Sequence, residues 1–265
     1  MTSTSAAERA PRNLLRRAAR PLLVLAFWVA VWQFAAVLVD QEILLVSPAG
    51  AISRLGELVV TGGFWATVWH SFSRIAAGFV VAAAVGVLAA SAAVGSRVFD
   101  ALVTPALTAV RSTPVVSFII LVLMWASSGQ LAFVISFLMV LPITYTTVLE
   151  GIRHRDRTLL EVAAVFRIPF WRRVPAIDVP AVLPYVIASC RVGIGLAWKS
   201  GITGELIGLT DGSIGERLYE AKLMLSSADV FAWTAVIVAL SFGFEKAVVA
   251  ALERADQRLS LGRPA

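Results

Sequence analysis

Residues 158–184, TLLEVAAVFRIPFWRRVPAIDVPAVLP, decide how this chain is organised. The stretch separates two long apolar runs and is itself too polar to cross a bilayer. Thr158 and Glu161 form the T-x-x-E pattern of a capping box, in which each side chain satisfies a free amide at a helix start. The pattern therefore predicts that a short helix begins at Thr158.

The end of this helix is set by Pro169, because the residue before a proline is disfavoured from helical geometry. We expect the helix to end near Phe166 or Arg167. A short, capped, mostly apolar helix must bury its surface against something. Two interpretations are open: it lies on lipid headgroups, or it docks into a soluble partner protein.

The composition places the chain among polytopic membrane proteins. It has 265 residues, 58% hydrophobic and 15% charged, with a mean hydropathy of +0.83. The net charge of +6 lies mainly at the ends of apolar runs, which is typical of membrane topology signals and not of nucleic-acid binding. Cys190 is the single cysteine, which excludes a disulfide within the chain, and two histidines make a His-based metal site improbable.

The apolar runs predict an all-α fold with about six transmembrane helices, and a short cytoplasmic helix between spans 4 and 5. The predicted spans are 21–39, 71–94, 98–125, 131–149, 181–207 and 230–252. The third is one span or a bent pair of helices, because Pro105 and Pro114 interrupt it. A surface helix is expected on the outer side within 43–69, and 209–229 is expected to be polar and outer, with a turn at 211–213.

Arginines set the expected orientation. They are concentrated in residues 1–20, in 150–157 and in the 253–265 tail, so these segments are predicted to be cytoplasmic. Residues 21–252 then form one transmembrane domain, with the region 158–180 at its cytoplasmic face. The first apolar run is too long for a usual signal peptide and lacks a clear cleavage site.

Several motifs occur together in a consistent order. Glu161–Ala163 and Ile177–Pro180 stand at the spacing of a cytoplasmic E-A-A … I-x-L-P signature. Upstream and downstream are SRIAAGF at 73–79, RSTP at 111–114 and RVGIGLAWK at 191–199. Over roughly residues 45–255, the chain resembles permease subunits of binding-protein-dependent ABC importers, in the nitrate, sulfonate and taurine branch.

The resemblance implies a transport subunit, not an enzyme, in a bacterial cytoplasmic (inner) membrane. Two such permeases, identical or different, would pair around a solute path. ATP-binding cassette subunits would hold the ATP and magnesium, so no cofactor is expected in this chain. A periplasmic or lipid-anchored solute-binding protein would deliver the solute. The implied ATPase-coupling residues are Thr158, Leu159, Glu161, Val162, Ala163, Phe166, Arg167 and Arg172.

Two residues depart from the signature. Val162 replaces its first alanine, and Arg167 occupies its glycine position. A glycine there would serve a left-handed turn after the helix, a conformation that costs arginine about 1 kcal/mol or more. Either Arg167 adopts that turn, or Pro169 reshapes it.

The fifth span contains charged residues that are costly in a bilayer, by about 2.5–3.5 kcal/mol each at its centre. Arg191, Lys199 and Glu205 either line the translocation path or hold helices together, and Trp198 is a further path candidate. Lys199 and Glu205 are six residues apart, about 240° around a helix, so they do not share a face. Gly204 and Gly208 form a G-x-x-x-G pattern, which favours close helix packing.

Other functions find less support in the sequence. Residues 193–200 imitate a phosphate-binding loop, but Trp198 replaces its glycine before the lysine, and the run lies within a span. A self-sufficient secondary transporter or channel would show inverted repeats or an acidic relay. A membrane enzyme would need a nucleophile and a base. The resemblance implies a small anion such as a sulfonate or nitrate as solute, although the branch also includes importers of pyrimidine-type vitamin precursors.

Overall fold

The computed structural model describes the main chain of residues 9–261 and the side chains of 23–257, and within these ranges every regular element is helical. The helices are α1 (Arg9–Val39), α2 (Pro48–Val59), α3 (Gly62–Gly95), α4 (Arg97–Ser112), α5 (Val115–Leu123), α6 (Leu131–Arg153), α7 (Arg157–Val165), α8 (Phe170–Arg173), α9 (Val179–Gly208), α10 (Ile214–Leu223) and α11 (Ser227–Leu261). A 3₁₀ turn at Ser128–Gln130 precedes α6, and a π-helical turn at Val174–Asp178 joins α8 to α9.

Membrane-length helices account for most of the described residues. Four helical stretches are long and apolar enough to cross a bilayer: Gly62–Gly95, Ser128–Arg153, Phe170–Gly208 and Ser227–Gln257. The pair α4 and α5 makes a fifth if the two count as one broken span. The described apolar part of α1, Leu23–Val39, is shorter, within a helix that begins at Arg9. The all-α polytopic fold is confirmed, and the number of spans is roughly consistent with the six predicted.

One predicted boundary was wrong, and one helix was not predicted. The second span was expected to begin at Ser71, but α3 begins at Gly62, because Phe64 and Val68 are buried and their packing outweighs the low helix propensity of two adjacent glycines. The stretch 209–229 keeps the predicted turn at 211–213 and also contains α10, whose first turn is capped by Ser213. Ser213 Oγ accepts from the Glu216 N–H at 3.1 Å, and the Glu216 carboxylate accepts from the Gly212 N–H at 2.6 Å.

The described residues divide into two compact units, and the smaller comprises those up to Thr61 together with Ala221–Trp233. In it, Trp32 donates from Nε1 to the Val46 carbonyl at 3.0 Å and stacks on Phe231. Arg54 of α2 donates to Asp229 at 2.6 Å, and this hydrogen bond raises the pKa of the guanidinium. The predicted surface helix within 43–69 is therefore α2, tied by its side chains to the start of α11.

The larger unit, Gly62–Glu220 with the described residues from Thr234, has α6 packed against both α3 and α9. Small residues allow α3, α6 and α9 to approach one another closely. A Cβ at Gly201 of α9 would lie 2.6 Å from Ser136 Oγ and 2.7 Å from Ile75 Cγ1. Ser136 also donates to the Ala197 carbonyl at 2.9 Å, which ties α6 to α9 inside the apolar interior.

The broken span turns sharply at Thr113 and Pro114, where the α4 and α5 axes differ by 102°. Thr113 is extended, and Pro114 precedes the first turn of α5 without a side-chain cap. Ser112 and Thr113 donate their hydroxyls back to the carbonyls of Thr108 and Ala109, at 2.9 and 2.8 Å. These hydroxyls add second hydrogen bonds to carbonyls of the last turn of α4. Of the two alternatives for the third span, the 102° angle shows the bent pair.

Candidate functional site: the α7 loop and the exposed face of α9

The helix α7 begins one residue earlier than predicted. Its N-cap is Asp156, whose carboxylate accepts from the Thr158 N–H at 2.8 Å. Because an aspartate at the N-cap already satisfies an amide of the first turn, Thr158 lies inside the helix and the Thr158–Glu161 capping box does not form. Both side chains are exposed, and among the described side chains none forms a salt bridge with Glu161.

The helix ends at Val165, and Arg167 adopts the left-handed conformation, with φ of 49°. The Ile168 N–H donates to the Ala163 carbonyl at 2.9 Å, and the Arg167 N–H donates to the Ala164 carbonyl at 3.1 Å. This pair of bonds is a Schellman motif. The turn that a glycine would serve is therefore kept with an arginine, and the alternative, in which Pro169 reshapes it, was wrong.

Apolar side chains cover the exposed side of α7 and the turn that follows. Leu159, Val162 and Phe166 are 48%, 45% and 75% exposed. Their spacing of three and four residues places them on one face of the helix. Ala163, at 3% exposure, lies about 40° from Leu159 around the helix, so this apolar face borders the buried edge of α7.

A three-residue ionic cluster closes the loop that carries α7. Asp178, in the π-helical turn, pairs with Arg155 before α7 and with Arg173 after it, the latter at 3.1 Å. Asp178 and Arg155 are largely buried, and the Arg173 guanidinium also lies over the Phe170 ring at 5.5 Å. The sequence analysis placed Asp178 in the I-x-L-P signature but missed this role, since its partner Arg155 lies 23 residues earlier.

The region 158–173 is thus two short helices and not one. Pro169 is extended and caps α8, which carries the exposed Trp171 and Arg172. Of the eight predicted coupling residues, seven are exposed on this loop, and Ala163 is buried beneath it.

Glu205 lies near the opposite end of α9 from α7 and is fully buried. Its carboxyl accepts from Ser71 Oγ at 2.8 Å and from the Gly215 N–H at 3.2 Å. Ser71 Oγ in turn accepts from the Ile214 N–H at 2.9 Å. Of the two roles left open for Glu205, this geometry favours the structural one, because the carboxyl ties α3 and α9 to the first turn of α10.

Trp198 and Lys199 are adjacent on α9 and differ in exposure, although both line one groove. Trp198 is buried and lies 5.9 Å from the Phe72 ring, centroid to centroid. Lys199 is exposed and lines a groove of about 340 Å³ with Ser241 and Glu245 of α11. As predicted from their spacing, Lys199 and Glu205 do not share a face.

Arg191 lies on the same exposed side as Lys199, two turns away along α9. Its guanidinium pairs with Glu253 of α11 at 3.0 Å. Gly195 stands between the two cations, and a Cβ there would meet nothing within 4 Å. The exposed face of α9, defined by Arg191, Gly195 and Lys199, therefore carries two cations, each with a carboxylate of α11 nearby, and open space at Gly195.

Within the described part of the chain, no group of three His, Cys, Asp or Glu side chains is placed to hold a metal ion.

A broken span, a capped loop helix and a charged face on the next span are the main features of this unit, and comparison with protein families identifies the chain. Residues 82–259 match the family described as binding-protein-dependent transport system inner membrane component. The chain belongs to this family. It is therefore an ABC transporter permease and a multi-pass membrane protein.

Relatives within this permease family transport different solutes according to their names. The chain is 26% identical to a Bacillus subtilis protein named as an aliphatic sulfonates transport permease, SsuC, over 80% of this chain and 77% of the relative. It is 30% identical to the bicarbonate transport system permease CmpB of Synechococcus elongatus, over 55% and 52%. It is 24% identical to the nitrate import permease NrtB of the same organism, over 76% and 75%. The branch expected from the motifs is confirmed.

Proposed function

We propose that this permease is coupled to a separate ATPase through α7 and contributes part of a solute path across a bacterial inner membrane. The observation that carries the proposal is the exposed apolar face of α7, formed by Leu159, Val162 and Phe166 on a loop anchored by Asp178. An amphipathic helix with such a face is suited to a hydrophobic groove on another protein.

The anchoring explains how this contact would transmit force. A loop joined at both ends to Asp178 moves with the ends of α6 and α9, because Arg155 follows α6 and Asp178 immediately precedes α9. Closure of the ATPase would then displace two spans together instead of bending a free loop. ATP and magnesium belong to that partner in this proposal.

The remaining partners follow from the family. A solute-binding protein would deliver the solute at the opposite membrane surface, and a second permease, identical or different, would complete the path. In this arrangement α7 and both termini face the cytoplasm.

We assign the path to the exposed face of α9. Arg191 and Lys199 would present positive charge to the solute, while Trp198 and Glu205 support the helix from its buried side. Three relatives are named for sulfonate, bicarbonate and nitrate, which are all small anions. A small anion is therefore the solute class we propose.

Replacement of Leu159 by aspartate tests the coupling. Position 159 lies in the first turn of α7, where an acidic residue suits the helix dipole, so Leu159→Asp removes apolar surface without weakening the helix. We expect loss of the ATPase on co-purification and loss of solute-stimulated ATP hydrolysis in proteoliposomes.

The matched control is Arg157→Asp. Arg157 is in the same helical turn as Leu159 and lies about 200° from it around the helix. Arg157→Asp changes the net charge by two, whereas Leu159→Asp changes it by one. The control should keep both activities. Retention of both by Leu159→Asp would overturn the coupling role, and ion-driven uptake by this chain alone in liposomes would favour a secondary transporter instead.

A further inference from the structure

An apolar cavity of about 480 Å³ lies between the ends of α3, α6 and α9 that are nearest to α7. Aliphatic side chains form its walls: Val87, Val94, Val148, Ile152, Val182 and Val186. The size is within the range of about 300–1,000 Å³ that small-molecule sites occupy. Walls of this kind offer too few hydrogen-bond partners to hold ordered water.

The mouth of the cavity is charged, in contrast to its walls. Arg155, Arg173 and Asp178 line it, and they are the charged side chains among the described residues that do so. Two guanidiniums share one carboxylate, which leaves one positive charge in excess. Phe170 also lines the cavity and stacks under the Arg173 guanidinium, so this cation is held at the mouth.

We propose that the cavity binds one acyl chain of an anionic phospholipid, with the lipid phosphate at Arg173 and Arg155. The walls match a hydrocarbon chain, and the excess cation matches a single phosphodiester charge. Basic pockets between transmembrane helices bind anionic headgroups in the same way. The solute of the permease is a poor match, because a small anion would leave the apolar walls in contact with water.

This site would place a lipid against the ionic cluster that anchors the α7 loop. The phosphate would compete with or reinforce the pairs that Asp178 makes, and so the bilayer composition would act on the loop. The assignment to the inner leaflet depends on the orientation proposed above, whereas the binding site itself does not depend on the ATPase contact.

Native mass spectrometry of the full chain in a mild zwitterionic detergent tests the proposal, with phosphatidylglycerol and phosphatidylcholine added in equal amounts. Gly95 lines the cavity, and a Cβ there would meet nothing within 4 Å, so Gly95→Phe can fill the space without a backbone clash. We expect this variant to lose the tightly bound phosphatidylglycerol. Gly63→Phe, at the other end of α3 and equally unobstructed, should retain it.

A second pair of variants separates charge from shape. Arg173→Gln should lower the preference for phosphatidylglycerol over phosphatidylcholine by about fivefold, which is the effect of one basic residue near a charged lipid surface. Arg254→Gln, an exposed arginine on α11 that does not line the cavity, should leave the preference unchanged. Equal retention of both lipids by the natural chain would overturn the proposal, as would undiminished retention by Gly95→Phe.

Discussion

At the scale of single residues, positive φ angles show where this fold accepts backbone strain. Among the described non-glycine residues, Asp40, Arg167, Leu209 and Leu225 have positive φ. Each of them follows a helix directly or after one residue, so the left-handed conformation is used to stop a helix. At none of the four does the chain use the glycine that would adopt it without steric cost.

Arg167→Gly should therefore stabilise the protein. The substitution removes a left-handed backbone strain of about 1–2 kcal/mol from the folded state. Glycine also increases the conformational entropy of the unfolded chain, which offsets part of this gain, so we expect the free energy of unfolding to rise by about 0.5–1 kcal/mol. For a chain of this length, the thermal unfolding midpoint in detergent should rise by about 2 °C. Arg172→Gly, in the helical α8, should lower the midpoint instead, and an unchanged midpoint for Arg167→Gly would contradict the strain argument.

Glu205 allows a second residue-scale prediction. Glu205→Leu removes the acceptor for Ser71 and for the Gly215 N–H, which leaves buried donors unpaired at about 1–3 kcal/mol each. Glu205→Gln keeps an acceptor oxygen and should have a smaller effect. Hydrogen exchange followed by mass spectrometry should show faster exchange across residues 214–220 in the leucine variant. Unchanged exchange together with altered solute affinity would instead assign Glu205 to the path.

At the scale of helices, two short motifs show what sequence patterns can and cannot predict. Thr158–Glu161 and Ser213–Glu216 both match the capping-box pattern, but only in the second does the hydroxyl residue cap its helix. The first fails because Asp156 lies two residues earlier and captures the Thr158 amide. The second was overlooked because α10 lies in a polar stretch between spans, where hydropathy predicts a loop. Competition between neighbouring N-cap residues decides whether such a pattern caps a helix, and amino-acid composition does not predict the outcome of that competition.

Two glycines of α9 provide an element-scale test. Gly201 contacts Ser136 and Ile75, so Gly201→Val should overpack the crossing of α9 with α3 and α6 and cost about 1–3 kcal/mol. Gly195→Val, on the exposed side of the same helix, should leave the thermal unfolding midpoint nearly unchanged. Similar losses of thermal stability in both variants would contradict the packing of α9 described here. A drop in transport by a stable Gly195→Val variant would support the assignment of that face to the path.

At the scale of the whole molecule, hydropathy was sufficient for the fold class and most spans, and the motifs in their order were sufficient for the family. Partners far apart in the chain were not predictable. Arg155 and Asp178, or Ser71 and Glu205, meet because helices pack side by side, and neither pair has a local sequence signal. The sequence therefore located the α7 loop, but not the ionic cluster that holds it.

The orientation of the chain can be tested with single cysteines, because Cys190 is the sole natural one and is buried. In a Cys190→Ala background, we introduce Phe166→Cys on the α7 loop and, separately, Met224→Cys after α10; both positions are highly exposed. In intact cells, an impermeant maleimide should label position 224. Position 166 should be labelled only after the inner membrane is opened. The reverse result would place α7 on the outer side and remove the basis for ATPase coupling.

The break between α4 and α5 limits how far this span reaches across the bilayer. At 1.5 Å per residue, the nine residues of α5 extend about 13.5 Å, which is less than half of a hydrocarbon layer of about 30 Å. Because the α5 axis is turned by 102° from the α4 axis, the two helices cannot both run along the membrane normal. At least one of the two helices must therefore run at a steep tilt to the membrane normal.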